Sequence, residues 1–290
     1  MASILDRYGI KEVADVTFYE INSDGTPGKP VLYLDTLKVS TIEQTAEQTD
    51  ARGGKGNPKL ITWDYGKEIT VNIEDALFSP KSMAIMLGDG SVTAATSQTI
   101  NRTAVIRVDN AGKLPNFFTA DIYDANLGST RKKIYIGSDT APAGMIAFAS
   151  SNITLKTTVS ETGTVLDSNL TISELQAAVA TATAPYSAHA GEKIFVTYTV
   201  PATTKTITIS GDSFPGTYYV TGDTYSRSDV DGRDQFFQFI IPKAKMSAEN
   251  TITLEAEGDP STFTMNLTVL RPESGEMMKL VQYDLEGSAG

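Results

Sequence analysis

Regular alternation of apolar and polar residues is the feature that most constrains the fold of this chain. It is clearest in segments 68–74, 251–257 and 262–269. Because successive side chains of a β-strand point to opposite faces of a sheet, each segment has one apolar and one polar face. We expect the apolar faces to pack on a core, and the polar faces to meet bulk water or line an aqueous channel. The polar positions are Glu68, Thr70, Asn72, Glu74, Thr253, Glu255, Glu257, Thr264, Asn266 and Thr268.

The rest of the chain also favours a mainly β fold, because Thr, Val, Ile and Tyr recur at strand-like spacing. One short helix is predicted at 80–88, where Ser79 is a cap and Pro80 takes the first helical position. Ser173 to Gln176 has the spacing of a capping box, but the Ala/Thr run that follows is a weak helix signal. The further predicted strands lie roughly at 13–22, 31–40, 60–74, 103–108, 118–123, 132–136, 152–159, 194–200, 206–210, 217–221, 235–241 and 279–284.

The alternation is uneven along the chain and suggests an insertion. Residues 91–205 are rich in Ala, Ser, Thr and Gly, alternate less clearly and contain many turn residues. We therefore predict a core formed by 1–90 and 206–290, with 91–205 as an inserted β region that faces outward. Strand 206–210 is our choice for a further strand with a polar face.

A long polar segment interrupts the pattern between Ile42 and Leu60. Loops longer than about 12–15 residues are usually functional or disordered, so the sequence predicts a functional loop at 43–59. We expect Trp63 and Tyr65 to anchor the returning chain on the core. The loop residues that could contact another molecule are Glu43, Glu47, Asp50, Arg52, Gly53, Gly54, Lys55, Gly56 and Asn57.

Candidate chemical motifs are incomplete, so no catalytic residue, metal site or cofactor is predicted. The glycine-rich run around Lys55 lacks the Ser or Thr of a phosphate loop and leads into a strand rather than a helix. Asp229, Asp231 and Asp234 resemble part of a calcium loop, but its last acidic ligand is missing, and a hairpin tip is the better reading. The chain has no cysteine, and His189, its one histidine, lies in a small-residue loop.

The charge of the chain limits its partners. A formal net charge of −11 argues against tight binding to nucleic acid, which requires clustered cations. There is no apolar run of about 18 residues that would span a membrane. The first residues do not have the pattern of a secretory signal, and we expect the protein to fold in a cytoplasm.

Two long segments resemble the tail tube proteins of long-tailed bacteriophages, especially those from phages and prophages of Gram-positive bacteria. They read ARGGKGNPKLITWDYGKEITVNIEDALFSPKSMAIMLG at 51–88 and FPGTYYVTGDTYSRSDVDGRDQFFQFIIPKAKMSAENTITLEAEGDPSTFTMNLTVLRP at 214–272. Together they cover about a third of the chain. Segment 91–205 lies outside this resemblance.

The resemblance implies a β-sandwich subunit with one short helix, which assembles into six-membered rings. Each subunit would give four strands to a barrel around a channel, and the rings would stack through the long loop. DNA would pass an acidic, hydroxylated lumen without specific binding, and the partners would be further copies and other tail proteins such as sheath, baseplate or tape measure. The protein would be a non-enzymatic part of the virion tail, assembled in the bacterial cytoplasm. The residues leave an alternative open, namely an adhesin or carbohydrate-binding β module.

Overall fold

The computed structural model describes residues 7–10, 12–88, 90–122, 131–230, 232–249, 252 and 262–283. Most of them lie in β-strands, which confirms the mainly β prediction. The chain divides into two compact units, one made of 1–93 with 206–290 and the other of 94–205. In the described part of the chain, no helix is long and apolar enough to cross a membrane.

The first unit is built on a nine-stranded sheet whose central hairpin is β13–β14. Its strand order is β3-β2-β13-β14-β15-β5-β4, with β1 beside β13 and β16 beside β14. The last pair of the central hairpin joins Arg227 to Asp234, so the chain reverses direction between these residues, where the sequence favoured a hairpin tip over a calcium loop. The elements of this unit are β1 (Tyr8–Ile10), β2 (Asp15–Ile21), β3 (Pro27–Leu34), β4 (Leu37–Arg52), β5 (Lys59–Asp75), α1 (Pro80–Leu87), β13 (Thr217–Ser228), β14 (Asp234–Met246), β15 (Phe263–Val269) and β16 (Lys279–Tyr283).

The helix α1 forms where the sequence predicted it. The Ser79 hydroxyl accepts a hydrogen bond from the backbone N–H of Ser82 at 3.0 Å, and the Ser79 N–H donates to the Ser82 hydroxyl at 2.9 Å. These two bonds satisfy backbone groups that a helix end leaves unpaired. Further along the helix, Ile85 and Met86 are buried in the core of the unit.

The second unit contains a four-stranded sheet, ordered β11-β10-β12-β6, and a three-stranded sheet, ordered β7-β8-β9. Its core includes Ile106, Phe118, Ile134, Leu175 and Val196. The elements are β6 (Thr93–Arg107), β7 (Phe117–Asp121), β8 (Arg131–Tyr135), β9 (Met145–Ala147), β10 (Thr154–Ser160), β11 (Val165–Asp167), α2 (Ile172–Ala180) and β12 (Lys193–Thr206), with 3-10 turns at Phe148–Ser150 and Tyr186–His189.

The expectation of a single helix is wrong, because α2 is well formed. Its cap is Thr171, whose N–H donates to the Glu174 carboxylate at 2.7 Å while the Glu174 N–H donates to the Thr171 hydroxyl at 3.3 Å. The capping box therefore lies two residues before the one inferred from Ser173. Leu175 and Ala178 are fully buried, and this packing sustains the weak Ala/Thr run.

Candidate assembly surfaces

Strands β5 and β15 pair so that their alternating patterns coincide. Asn72 lies opposite Asn266, and the Asn72 side-chain amide donates to the Asn266 amide oxygen at 2.6 Å. On the other side of the same two strands, Val71 and Leu267 are each 1% exposed. Directly opposite residues of an antiparallel pair share a face, so one face of this sheet is core and the other is polar.

Strand β4 extends this polar face on the far side of β5. Thr41 pairs with Asn72, Glu43 with Thr70, and Thr45 with Glu68. We use the name polar face for the described residues Thr41, Glu43, Thr45, Glu68, Thr70, Asn72, Glu74, Thr264, Asn266 and Thr268.

Two sequence predictions about this surface need correction. Glu43 lies in β4, opposite Thr70, and not in a loop. Strand β12 ends at Thr206, and 207–210 have no regular secondary structure, so 206–210 does not contribute a polar strand. Thr253, Glu255 and Glu257 lie outside the described residues.

A lysine of β14 lies on the same side of the sheet as the polar face. Lys245 on β14 pairs with Thr268, and its ammonium donates a hydrogen bond to the backbone carbonyl of Pro215. Glu43, Glu68 and Glu74 are the carboxylates of the polar face as defined above. The polar face thus carries three carboxylates, and the Lys245 ammonium on the same side of the sheet is held at a backbone carbonyl.

The predicted polar loop at 43–59 is instead the outer part of a long β-hairpin. β4 continues to Arg52, β5 starts at Lys59, and the turn is confined to 53–58. Gly54 and Gly56 have φ values of 84° and 85°, which only glycine adopts readily. Backbone hydrogen bonds between β4 and β5 hold these polar residues in strands. The absence of large apolar residues had predicted a loop.

A β-bulge divides this hairpin into an inner and an outer part. Thr45 pairs with Glu68, but Glu47, two positions further along β4, pairs with Tyr65, three positions back along β5. The extra residue lies next to Gly66, which has a φ of 61°. Tyr65 therefore lies on the side of the hairpin that carries Thr45 and Glu68, and the odd-numbered residues of β5 change sides at the bulge.

We call residues 47–65 the arm, and Ile61, Trp63 and Tyr65 its aromatic side. These three side chains are 54%, 50% and 52% exposed. Thr49 and Ala51 lie opposite Trp63 and Ile61. Trp63 and Tyr65 therefore do not anchor the chain on its own core, as the sequence suggested, but form an exposed apolar strip.

The other side of the arm is a polar network centred on Asp50. Its carboxylate accepts hydrogen bonds from Thr62 at 2.8 Å and from Arg52 at 3.3 Å, and lies 2.7 Å from the Lys59 ammonium. The bond from Lys59, followed by that from Thr62, lowers the pKa of Asp50 below its usual value. Arg52 and Lys59 are thus both paired within the arm.

The other residues considered as chemical sites have structural partners. Asp234 forms two hydrogen bonds with the Arg227 guanidinium, at 2.6 and 2.7 Å. The His189 ring nitrogen Nδ1 lies 2.8 Å from a Glu192 carboxylate oxygen. Asp231 lies outside the described residues. Among the described residues, no three His, Asp or Glu side chains are grouped as a metal site would require.

Comparison with known proteins gives one family. The sequence model of the YomU/Tube protein family matches residues 8–123 and 141–282, which together make up most of the chain. Most of both units, and all of the arm and polar face, fall within the matched residues. No curated protein sequence matches the chain.

Proposed function

Since the chain belongs to the YomU/Tube protein family, which comprises structural proteins of the bacteriophage tail tube, we propose that it polymerises into stacked rings of six copies that form a conduit for DNA. The observation that supports polymerisation most directly is the aromatic side of the arm, which carries three large apolar side chains outside the core of the subunit. Exposed apolar strips with a polar surround are typical of protein interfaces.

We assign the contact between rings to the aromatic side of the arm. Its chemistry supports this choice, because aromatic residues dominate the energetics of interfaces, whereas exposed ion pairs contribute little. Arg52 and Lys59 already bind Asp50 within the arm, so they have less to offer a neighbouring copy. Glu47 and the turn residues 53–57 would then form the rim of the contact.

The polar face is our proposal for the lumen wall. Its carboxylates repel phosphate, and its hydroxyls and amides solvate phosphate only weakly. DNA would therefore slide along the wall without binding. β4 replaces 206–210 as the fourth strand of this wall, beside β5, β15 and the strand predicted at 251–257. β3 and β4 are the outer strands of the sheet among the described residues, and their edges would pair with neighbouring copies, which would remove exposed strand edges.

The remaining parts of the proposal concern location and chemistry. Residues 94–205 form the second unit, and we propose that it faces outward from the tube. The protein would act without catalysis, together with other tail proteins such as sheath, baseplate or tape measure, and would assemble in the cytoplasm of the host.

The proposal can be tested with the single tryptophan as an internal probe. Trp63 is half exposed in the subunit, so its fluorescence emission should shift to shorter wavelength when the aromatic side becomes buried. We expect this shift to increase with protein concentration, together with the appearance of hollow tubes or rings in negative-stain electron micrographs. Tubes that form without any change in Trp63 emission would contradict the assigned contact, and a monomer at all concentrations, even with tail partners added, would contradict the function.

A further inference from the structure

The second unit has an open groove of about 840 Å³ between the end of β7 and strands β6 and β12. This volume is within the range of about 300–1,000 Å³ that is usual for small-molecule sites. On β6, Arg102 precedes the buried alternate positions Ala104 and Ile106, so it lies on the core-facing side of the strand. The groove therefore lies where the core-facing side of the four-stranded sheet extends beyond the apolar core of the unit.

The charges in the groove are balanced. The Arg102 guanidinium forms an ion pair with the Asp121 carboxylate, and these are the charged residues among the described lining. Their side chains are 42% and 31% exposed, so both can still be reached from the groove. A compensated pair does not favour a charged ligand, because neither charge needs a counterion from outside.

The remaining walls combine apolar surface with hydrogen-bonding groups. Ile100 and Val200 supply apolar contact area, and Asn152 and Thr203 supply an amide and a hydroxyl. Ser151 also lines the groove, but its hydroxyl is occupied, since it donates to the Phe148 carbonyl at 2.6 Å and accepts from the Ile153 N–H at 3.4 Å. The groove therefore presents the partly exposed Arg102–Asp121 ion pair, an amide and a hydroxyl beside an apolar wall.

From this arrangement we propose that the groove binds a neutral saccharide. A sugar presents adjacent hydroxyl groups, each a donor and an acceptor, and it also has apolar C–H surfaces. The planar guanidinium and carboxylate can bind such hydroxyls in pairs, while Ile100 and Val200 contact the C–H surface. This is a binding activity of the second unit, and it does not depend on tube formation by the first.

The test is saturation-transfer NMR of the full chain with four probes: maltohexaose, N-acetylglucosamine hexamer, an anionic heparin hexasaccharide and an uncharged Gly-Ser decapeptide. We expect at least one neutral saccharide to bind and the two other probes to bind more weakly or not at all. Preferential binding of the heparin fragment or the peptide would overturn the proposed ligand class. Failure of both neutral saccharides to bind would overturn the proposal.

Two variants locate the site. Arg102→Lys keeps the positive charge but removes the planar fork, so we expect the affinity to fall by about tenfold. Thr203→Val removes a hydroxyl of the groove at nearly constant volume and should weaken binding without changing charge. Arg107→Lys is the matched control, since Arg107 is exposed on the same strand but does not line the groove. Equal affinity of the wild type, Arg102→Lys and Thr203→Val, with unchanged melting curves, would overturn the assignment to this groove.

Discussion

The inner and outer parts of strand β5 have similar sequences but opposite environments. In the inner part, Ile69, Val71 and Ile73 are buried in the core of the first unit. In the outer part, Ile61, Trp63 and Tyr65 alternate in the same way but are half exposed. The difference arises at Gly66, where the bulge adds one residue and the strand leaves its own core.

This comparison shows that alternation alone does not identify what an apolar face packs against. When a strand leaves the core of its subunit, its apolar side is exposed and prone to association unless another molecule covers it. The inner part of β5 therefore stabilises the subunit, and we infer that the outer part stabilises an assembly.

The largest expected effect on subunit stability distinguishes these two parts. Ile73→Ala should lower the free energy of unfolding by about 2–5 kcal/mol, because Ile73 is fully buried and its truncation leaves a cavity. Ile61→Ala, the matched change in the outer part, should alter it by less than about 0.5 kcal/mol. Urea unfolding of both variants measures the difference, and a similar loss in both would mean that the arm belongs to the subunit core.

The second prediction reverses this order for assembly. Ile61→Ser combined with Tyr65→Ser should raise the protein concentration needed for tube formation by at least about tenfold, because central apolar contacts dominate binding energy. The unfolding free energy of the subunit should stay nearly the same. Light scattering and electron microscopy measure assembly.

The control for this double variant is Val165→Ser, which removes a side chain of similar exposure, 57%, from the second unit. We expect it to assemble like the wild type. If the control lost assembly as strongly as the arm variant, general surface hydrophobicity rather than the aromatic side would explain the effect.

The third prediction concerns the bulge itself. Gly66→Ala should destabilise the hairpin by roughly 1–2 kcal/mol, because an L-residue at a φ of 61° meets steric strain. Gly211→Ala is a suitable control, since an added Cβ there would have open space and no positive φ. Chemical-shift changes in 47–65 should accompany the loss, and equal effects of the two substitutions would show that Gly66 does not hold a strained conformation.

The alternation of the inner strands could be predicted because burial fixes it. Val71 and Leu267 each lie at a buried position where a polar residue would be costly. The spacing of such apolar residues therefore predicts the strand and the face that packs on the core. The cap at Ser79 was equally visible, because its hydrogen bonds are local.

The arm was not visible as a hairpin because none of its residues is buried in the subunit. Its strands depend on backbone pairing and on bonds such as that from Gln48 to Asp64, at 2.8 Å, which leave no apolar pattern. The sequence signal that indicated a hairpin was the pair Gly54 and Gly56, since closely spaced glycines favour a turn. β-forming residues such as Thr62 and Tyr65 follow them. The groove around Arg102 and Asp121 was also hidden, since its residues come from separate strands.

The smallest expected effect concerns the polar side of the arm and its pH dependence. Lys59 and Thr62 lower the pKa of Asp50, so ionised Asp50 stabilises the arm above its unfolded pKa, which is about 4. This contribution should be lost as the pH falls through the lower pKa of the folded state. Because these groups are exposed, the effect should be small compared with the loss of the aromatic contact.

Amide chemical shifts of 47–65, followed from pH 6 to about 2, should report this transition in the unassembled subunit. Asp50→Asn removes the titrating group and should remove the transition, whereas Asp64→Asn, on the same side of the arm, should leave it in place. If the transition persisted in Asp50→Asn, another carboxylate would control the arm. The side chains assigned to the contact between rings, Ile61, Trp63 and Tyr65, include no carboxylate, so tubes that already exist should withstand the change better than the free arm.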